Sequence, residues 1–394
     1  MTYVNEIPND LPNYDIVVGI PSFNNAETIS HVVEKSAKGI RETGGLKGLI
    51  VNSDGGSTDG TPEVFMNSKS FGVDKLTIRY AGISGKGSAV RALFEVSDKV
   101  NAKAFIMLDS DLRSIQPWWI ERLSRPVLSG QTQYVTPLYQ RHKYDGTITN
   151  NICYPLTASL YGLKIRQPIG GDFCVGNHLI KTYLSKPNDV WKTHVARFGI
   201  DIWMTTIAIN ESGFKPVQAA LGAKIHDAKD PGKHLEGMFI QVVQTLLQLM
   251  IEYEEHWKNV MTIENSQIYG IPPVQQLEDI DVDLKNLKRK AIKILKEREE
   301  HLNYLDESIV ERVMKTGTID IEDWVEIVYS VALKYKKTQE EDTVRDLLGF
   351  YFARTSDFVE KTQDMSTIEA ERLIDEQLEI FMKKKRKFVK KWEE

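Results

Sequence analysis

The 394-residue chain has only two cysteines, Cys153 and Cys174. Two are too few for the disulfide framework of a secreted scaffold, and a pair of reduced, buried thiols is expected. Also missing is any apolar run near the roughly 20 residues that a membrane span requires. The opening stretch MTYVNEIPNDLPNYD is polar and carries Pro8 and Pro12, unlike the apolar centre of a signal peptide. No excess of positive charge is present. The formal net charge is -5, which gives no footprint for nucleic acid. Internal repeats and low-complexity linkers are absent as well. These absences leave a cytoplasmic protein with small-molecule partners as the expectation, with no nucleic acid and no membrane span among them.

What is there divides near residue 235. Before it, short β-rich runs alternate with helical stretches. YDIVVGI (14–20) reads as a strand that stops at Pro21, followed by a helix over 26–42. GLIVNSD (48–54), LTIRYA (76–81) and AFIMLD (104–109) read as further strands, with helices over 61–70 and 87–100 between them. Such alternation predicts an α/β fold, a mostly parallel sheet with helices on both faces. Ligands of such sheets sit beyond the carboxyl ends of the strands. From 235 to 394 the pattern is helical. Apolar stripes run through Val243, Leu246, Leu247 and Met250, through Trp324, Val328, Val331 and Tyr335, and through Ile374, Leu378, Phe381 and Met382. They suit core packing or a subunit interface, which would make a homodimer. The run KKKRKFVKK (383–391) reads as a solvated helix end whose cations suit the helix dipole.

Three strand ends carry conspicuous polar residues: PSFNN after the first, SDGGSTD after the second and DSD after the fourth. Asp109-Ser110-Asp111 places two carboxylates two positions apart, which is costly unless a cation neutralises them. Hard oxygen ligands suit Mg²⁺ or Mn²⁺ shared with substrate phosphates, so the motif reads as a clamp for a metal–diphosphate. In isolation it would equally be a capped strand end. Asp54 opens a glycine-rich turn and can accept hydrogen bonds from a base or ribose, while a plain β-turn joined to a helix start capped by Thr58 or Asp59 is the alternative. Lys86 stands in GISGKGS at a helix start, where backbone N–H groups and the dipole favour an anion. The glycine spacing required of a P-loop is absent, so a Walker-type NTPase is disfavoured. His226, with His234 as the alternative, is placed to add an imidazole ligand to the metal, which favours Mn²⁺. QPIGGD (167–172) and FGID (198–201) are turns that each end in a carboxylate.

Taken together, the first 240 or so residues resemble the GT-A glycosyltransferases. The narrower resemblance is to the retaining enzymes that make glucosyl-3-phosphoglycerate, glucosylglycerate and mannosylglycerate. PSFNNAETI (21–29), VNSDGGSTDGT (51–61), GKG (85–87), LDSDL (108–112), QPIGGDF (167–173), FGIDIWMTT (198–206) and AKIHD (223–227) carry it, by their order and combination. The helical last third carries no matching motif. The resemblance implies a catalytic domain over 1–234 and a helical region over 235–394 for packing, acceptor binding or oligomerisation. It implies Pro21, Ser22, Asn24, Asp54, Lys86, Asp109 and Ser110 at the nucleotide sugar, and Asp111 with His226 at a divalent metal. The donor would be UDP-glucose, GDP-glucose or GDP-mannose. Gly170, in the loop expected to line the donor sugar, would stand with Asp109, Asp111 and Asp201 at the reacting centre. Arg141, Thr147, Thr149, Asp172 and Asp201 would face the acceptor.

One departure bears on that acceptor. The phosphoglycerate enzymes share a G-R-V-T-E segment whose arginine suits a phosphate, and here the stretch is Gly146-Thr147-Ile148-Thr149-Asn150. Threonine is a poor bidentate partner for phosphate, which tilts the expectation towards D-glycerate, although Arg141 stands close by in sequence. Two further readings compete. One is an inverting GT-A transferase acting on another small or glycan acceptor. The other is a non-catalytic nucleotide-sugar-binding scaffold, against which the intact Asp109–Asp111 pair argues.

Overall fold

The computed structural model describes residue 4 and residues 7–225, 235–273, 275 and 277–394. Among them ten strands occur: β1 (Ile16–Ser22), β2 (Gly48–Asp54), β3 (Asp74–Arg79), β4 (Ala104–Met107), β5 (Tyr134–Gln140), β6 (Leu163–Lys164), β7 (Phe173–Gly176), β8 (Val217–Ala223), β9 (Glu264–Asn265) and β10 (Ile268–Tyr269). Eight of them form one sheet in the order β10-β8-β5-β7-β4-β1-β2-β3. Every neighbouring pair is parallel except those made by β7, which runs antiparallel between β4 and β5. The predicted α/β class is therefore observed, with an antiparallel strand inserted in the sheet.

Contacts divide the chain into two units. The first comprises residues 1–140, 165–227 and 266–277, and the second 141–164, 228–265 and 278–394. In the first unit β1 and β2 are buried along nearly their whole length, as expected of central parallel strands covered on both faces. Ile16, Val18 and Ile20 of β1 pack with Val32, Val33 and Ala37 of the helix Ile29–Glu42, and with Trp119, Ile120 and Leu123 of the helix Trp118–Leu128. The expected stop at Pro21 needs correction. β1 continues through Pro21, paired with Ser53, to Ser22, paired with Asp54. A proline has no N–H to donate, but β4 pairs with β1 only as far as Gly19, so at Pro21 the strand is laddered on the β2 side alone. The consequence is that Ser22 and Asp54 end side by side.

The second unit is helical. Its largest elements are Leu235–Glu252, Leu284–Glu297, Ile321–Thr338, Glu341–Thr362 and Thr367–Glu393. Side chains of Asp283, Asp306, Asp320 and Ser366 accept from backbone N–H groups at helix starts, and Ser366 forms a reciprocal capping box with Glu369. The three apolar stripes are buried within the chain itself, with only Met382 half-buried, so they are core. Cys153 and Cys174 are buried and unpaired.

The basic run needs a second correction. Lys385 and Phe388 within it are buried. Lys385 Nζ donates to the carbonyls of Ser159 at 2.7 Å, Leu160 at 3.0 Å and Val260 at 2.8 Å. Two of these are orphan carbonyls at the end of the helix Tyr154–Tyr161, a site where a cation is favoured. Lys385→Met is expected to cost about 2–4 kcal/mol in urea denaturation, because buried acceptors lose their donor. Burial pushes the Lys385 ammonium down to about 7, against about 10.4 for an unperturbed lysine. Between those values the unfolded chain holds more protons, so the wild type gains stability relative to the Met variant as pH rises from about 7 to about 10, and the gain vanishes below.

Candidate active site at the strand ends

Strands β1, β2 and β4 deliver their carboxyl ends to one edge of the sheet, and the loops that follow are sewn to one another. Asp54, at the end of β2, is buried. Its Oδ2 accepts the N–H groups of Gly56 at 2.8 Å and Ser57 at 2.9 Å, and its Oδ1 accepts the Ser57 hydroxyl at 2.6 Å. Ser22 donates to Asn52 at 2.6 Å. Asn24, in the left-handed region at φ 55°, accepts the Thr58 N–H through its side chain at 2.9 Å. These residues therefore shape a backbone cradle, with Pro21 half-buried at its edge. Ser110 is buried, and its carbonyl accepts the Thr28 hydroxyl at 2.8 Å, which ties the loop after β4 to the start of the helix Ile29–Glu42.

A cluster of five charged side chains lies at the end of β4. Lys86, first residue of the helix Lys86–Lys99, places Nζ 2.9 Å from Asp109 Oδ1 and 3.4 Å from Asp201 Oδ2. Gly85 and Gly87 flank it because a Cβ on either would strike the backbone of residues 195–197. The Gly87 N–H donates to the Arg197 carbonyl at 3.2 Å. Asp109 Oδ2 lies 3.0 Å from Lys224 Nζ, which also sits 2.9 Å from Asp172 Oδ2 and donates to the Gly170 carbonyl at 2.9 Å. Asp172 is fully buried. It accepts the Asp109 N–H at 2.8 Å and the Tyr139 hydroxyl at 2.6 Å. Gly171, at φ 89°, turns its open face to Asp109 and Lys224, and a Cβ there would strike the Asp109 carboxylate.

The electrostatics follow from this packing. Burial works against the Lys86 ammonium, but Asp109 and Asp201 outweigh it and hold it above the usual lysine range. Burial also works against ionised Asp109, yet Lys86 and Lys224 hold its carboxyl below the usual range. Asp201 goes the other way. Burial, with the charge of Asp109 beside it, raises its carboxyl despite Lys86. Among the described residues its buried Oδ1 has no hydrogen-bond donor. An oxygen in that condition is a candidate acceptor for a ligand hydroxyl.

The cluster thus brings together Lys86, Asp109, Gly170, Asp172 and Asp201. Asp111 is half-buried two residues beyond Asp109. His226 and His234 lie outside the described residues. Arg141, Thr147 and Thr149 belong to the second unit. There Arg141 Nε donates to Asp145 at 2.7 Å, Thr147 and Thr149 are buried, and the Thr147 hydroxyl shares a hydrogen bond with Tyr351 at 2.6 Å. Lys224 and Tyr139 are not legible as site residues in the sequence. The signal for Lys224 is its place in AKIHD (223–227), where attention falls on the histidine two residues on.

The fold and site define an α/β protein with a buried, charge-dense centre at the carboxyl ends of a mostly parallel sheet. No protein-family model matches the chain, and no curated protein matches it. Among solved structures the chain is similar to glucosyl-3-phosphoglycerate synthase from Mycobacterium tuberculosis. The complex of that protein with Mn²⁺, uridine diphosphate and phosphoglyceric acid is 24% identical over 60% of this chain and 78% of that one, with a TM-score of 0.49. Its complex with Mn²⁺, UDP-glucose and phosphoglyceric acid is 24% identical over 60% and 79%, with a TM-score of 0.46.

Gly171→Ala is expected to destabilise the first unit by about 2–4 kcal/mol, because a Cβ adds both a clash and a strained φ. The variant's urea midpoint measures this. A shift equivalent to less than about 0.5 kcal/mol, the range of neutral surface changes, would contradict the packing described.

Proposed function

We propose that the chain is a metal-dependent glycosyltransferase that moves glucose or mannose from a nucleotide sugar to D-glycerate or 3-phosphoglycerate, with retention at the anomeric carbon. The observation that carries this reading is the cluster of Lys86, Asp109 and Asp201 at the strand ends, beside a loop cradle held open by Asp54 and Asn24. Ligands of such sheets bind at that edge. The motif order described above supplies the substrate class.

In this reading the backbone of Pro21–Asn24 and the turn after Asp54 receive the base and ribose. Lys86 is a permanent ammonium at the edge of the diphosphate site, fixed in place before any ligand arrives. Preorganised charge of this kind costs no reorganisation when negative charge develops on the leaving group. Asp201 offers its unpartnered Oδ1 to a sugar or acceptor hydroxyl. Asp172, with both oxygens engaged, positions the QPIGG loop. No carboxylate is assigned as a nucleophile. Attack on the donor face, with the acceptor proton passing to the departing phosphate, needs none.

The donor set for a divalent ion can be judged from the cluster. Asp109 does not fit as a ligand, since both its oxygens already face ammonium groups. Asp111 fits by the hardness of its oxygens, and with His226 it would hold the ion. Such an ion, when bound, supplies Lewis-acid neutralisation of a diphosphate. The protein is read as cytoplasmic. Among the described residues no helix is long and apolar enough to cross a membrane.

The test is a matrix of UDP-, GDP- and ADP-sugars against D-glycerate and 3-phosphoglycerate, with Mg²⁺, Mn²⁺ or chelator. Transfer in at least one combination, abolished by chelator and giving a product of unchanged anomeric configuration, is expected. Inverted product would select the inverting reading, and nucleotide-sugar binding without transfer would select the scaffold. A second outcome concerns pH. The acid limb of kcat/KM should lie above the ordinary carboxylate range, since ionised Asp201 is the stronger acceptor for a hydroxyl and its carboxyl is raised. Asp201→Asn should remove that limb and lower kcat/KM by about 100-fold or more.

A further inference from the structure

We propose that Lys224 is a positioning residue of the strand-end cluster: its ammonium fixes Asp109 and the 167–172 loop in one arrangement, and thereby sets where Lys86 and Asp201 present their charges. What that arrangement serves rests on the transferase reading above. The arrangement itself does not.

Lys224 follows the last residue of β8, and its side chain is 5% exposed. Its ammonium gathers three groups from two distant segments: the Asp109 carboxylate after β4, and the Asp172 carboxylate and Gly170 carbonyl of the loop before β7. The face of the Tyr139 ring lies 5.2 Å away and lines the same position. Asp109 and Asp172 are close enough that the backbone N–H of one donates to the side chain of the other. Their carboxylates lie 3.0 Å and 2.9 Å from the one Lys224 ammonium, and two carboxylates so placed repel unless a cation stands between them. Lys86 cannot serve both, because it bridges Asp109 to Asp201.

The consequence for Asp109 is a division of labour between its two oxygens. Oδ1 faces Lys86 and Oδ2 faces Lys224. Removing Lys224 frees Oδ2 and leaves Asp172 pressing on it, so the carboxylate rotates towards its remaining cation. Lys86 then shifts with it, away from Asp201. Lys86 keeps its ammonium when Lys224 is removed, so the charge offered to the donor diphosphate remains, whereas the reacting centre depends on the relative placement of Lys86 and Asp201. A loss in kcat with donor KM preserved is therefore the expected signature.

The experiment uses the full-length chain with Lys224→Ala and Lys224→Met. Both should lose about 100-fold or more in kcat while KM for the nucleotide sugar changes by about threefold or less. Propylammonium added to Lys224→Ala should restore at least part of the lost kcat, and propanol, of similar shape and uncharged, should not. Hydrogen exchange supplies a readout independent of turnover. The Asp109 amide, which donates to Asp172, should exchange faster in both variants and be protected again by propylammonium in the Ala variant. A Met variant that keeps wild-type kcat, equal rescue by propanol, or unchanged Asp109 exchange would each overturn the proposal. If the wild type transfers no sugar in any combination, the transferase reading fails, and the exchange measurement still decides the role of Lys224. Should the Ala variant fail to fold, the Met variant, which keeps the apolar stem, carries the kcat and exchange tests.

Discussion

Asp109 stands between two ammonium groups, Lys86 at 2.9 Å and Lys224 at 3.0 Å, and the geometry of the sheet edge depends on that arrangement. Desolvating charged groups is costly, and only close, multiply hydrogen-bonded pairing offsets the cost. The five charged members come from five places in the chain: a helix start, the end of β4, the loop before β7, a second helix start and the end of β8. Satisfying them all at once fixes those segments relative to one another. The glycines of GKG and QPIGG follow from the same constraint. Gly85 and Gly87 admit the 195–197 backbone, and Gly171 admits the Asp109 carboxylate.

The cluster also separates two roles that the Asp-X-Asp pattern runs together. Asp109 is occupied by protein cations, whereas Asp111 lies on the loop beyond. Three aspartates and two lysines leave the cluster one formal negative charge in excess, and the raised carboxyl of Asp201 is where that excess is felt. An acidic group with a buried, unpartnered oxygen and an incompletely compensated charge is suited to receiving a hydroxyl proton donor. The second unit uses the same principle for architecture. Arg354, buried, donates to Gln377 at 2.7 Å and Asp357 at 2.6 Å, and Gln377 in turn donates to the carbonyls of Asn150 and Asn151. These bonds, with the Trp324 indole N–H that also donates to the Asn151 carbonyl at 2.8 Å, tie down the irregular helical turn Thr149–Cys153.

Much of this architecture is legible in the amino-acid sequence. Strands β1 to β4 announce themselves by Val and Ile runs that end in polar turns, and the apolar stripes beyond residue 235 predict buried helix faces. The antiparallel β7 is not legible, because FCVG is too short to show a period. Nor is β8, whose VQAALGA is rich in alanine and glycine and lacks the β-branched signal. The continuation of β1 through Pro21 is hidden because a proline inside a run argues for its end. At the site, residue types are legible and partners are not. A lysine near an Asp-X-Asp reads as a ligand for phosphate, while its pairing with Asp109 and Asp201 depends on segments 23 and 115 positions away. Lys385 escapes a sequence reading for the same reason: a charge run signals solvent unless the fold turns one member inward.

The central claim is that the strand-end cluster, with Lys86 at its edge, is where a nucleoside diphosphate is received. The most direct measurement is isothermal titration of uridine and guanosine diphosphates, with Mg²⁺ or Mn²⁺, into the wild type and Lys86→Met. The account predicts saturable binding of one diphosphate by the wild type, weakened about tenfold or more when the ammonium is removed. Equal affinity in the two proteins, or no binding of either diphosphate by the wild type, would contradict it.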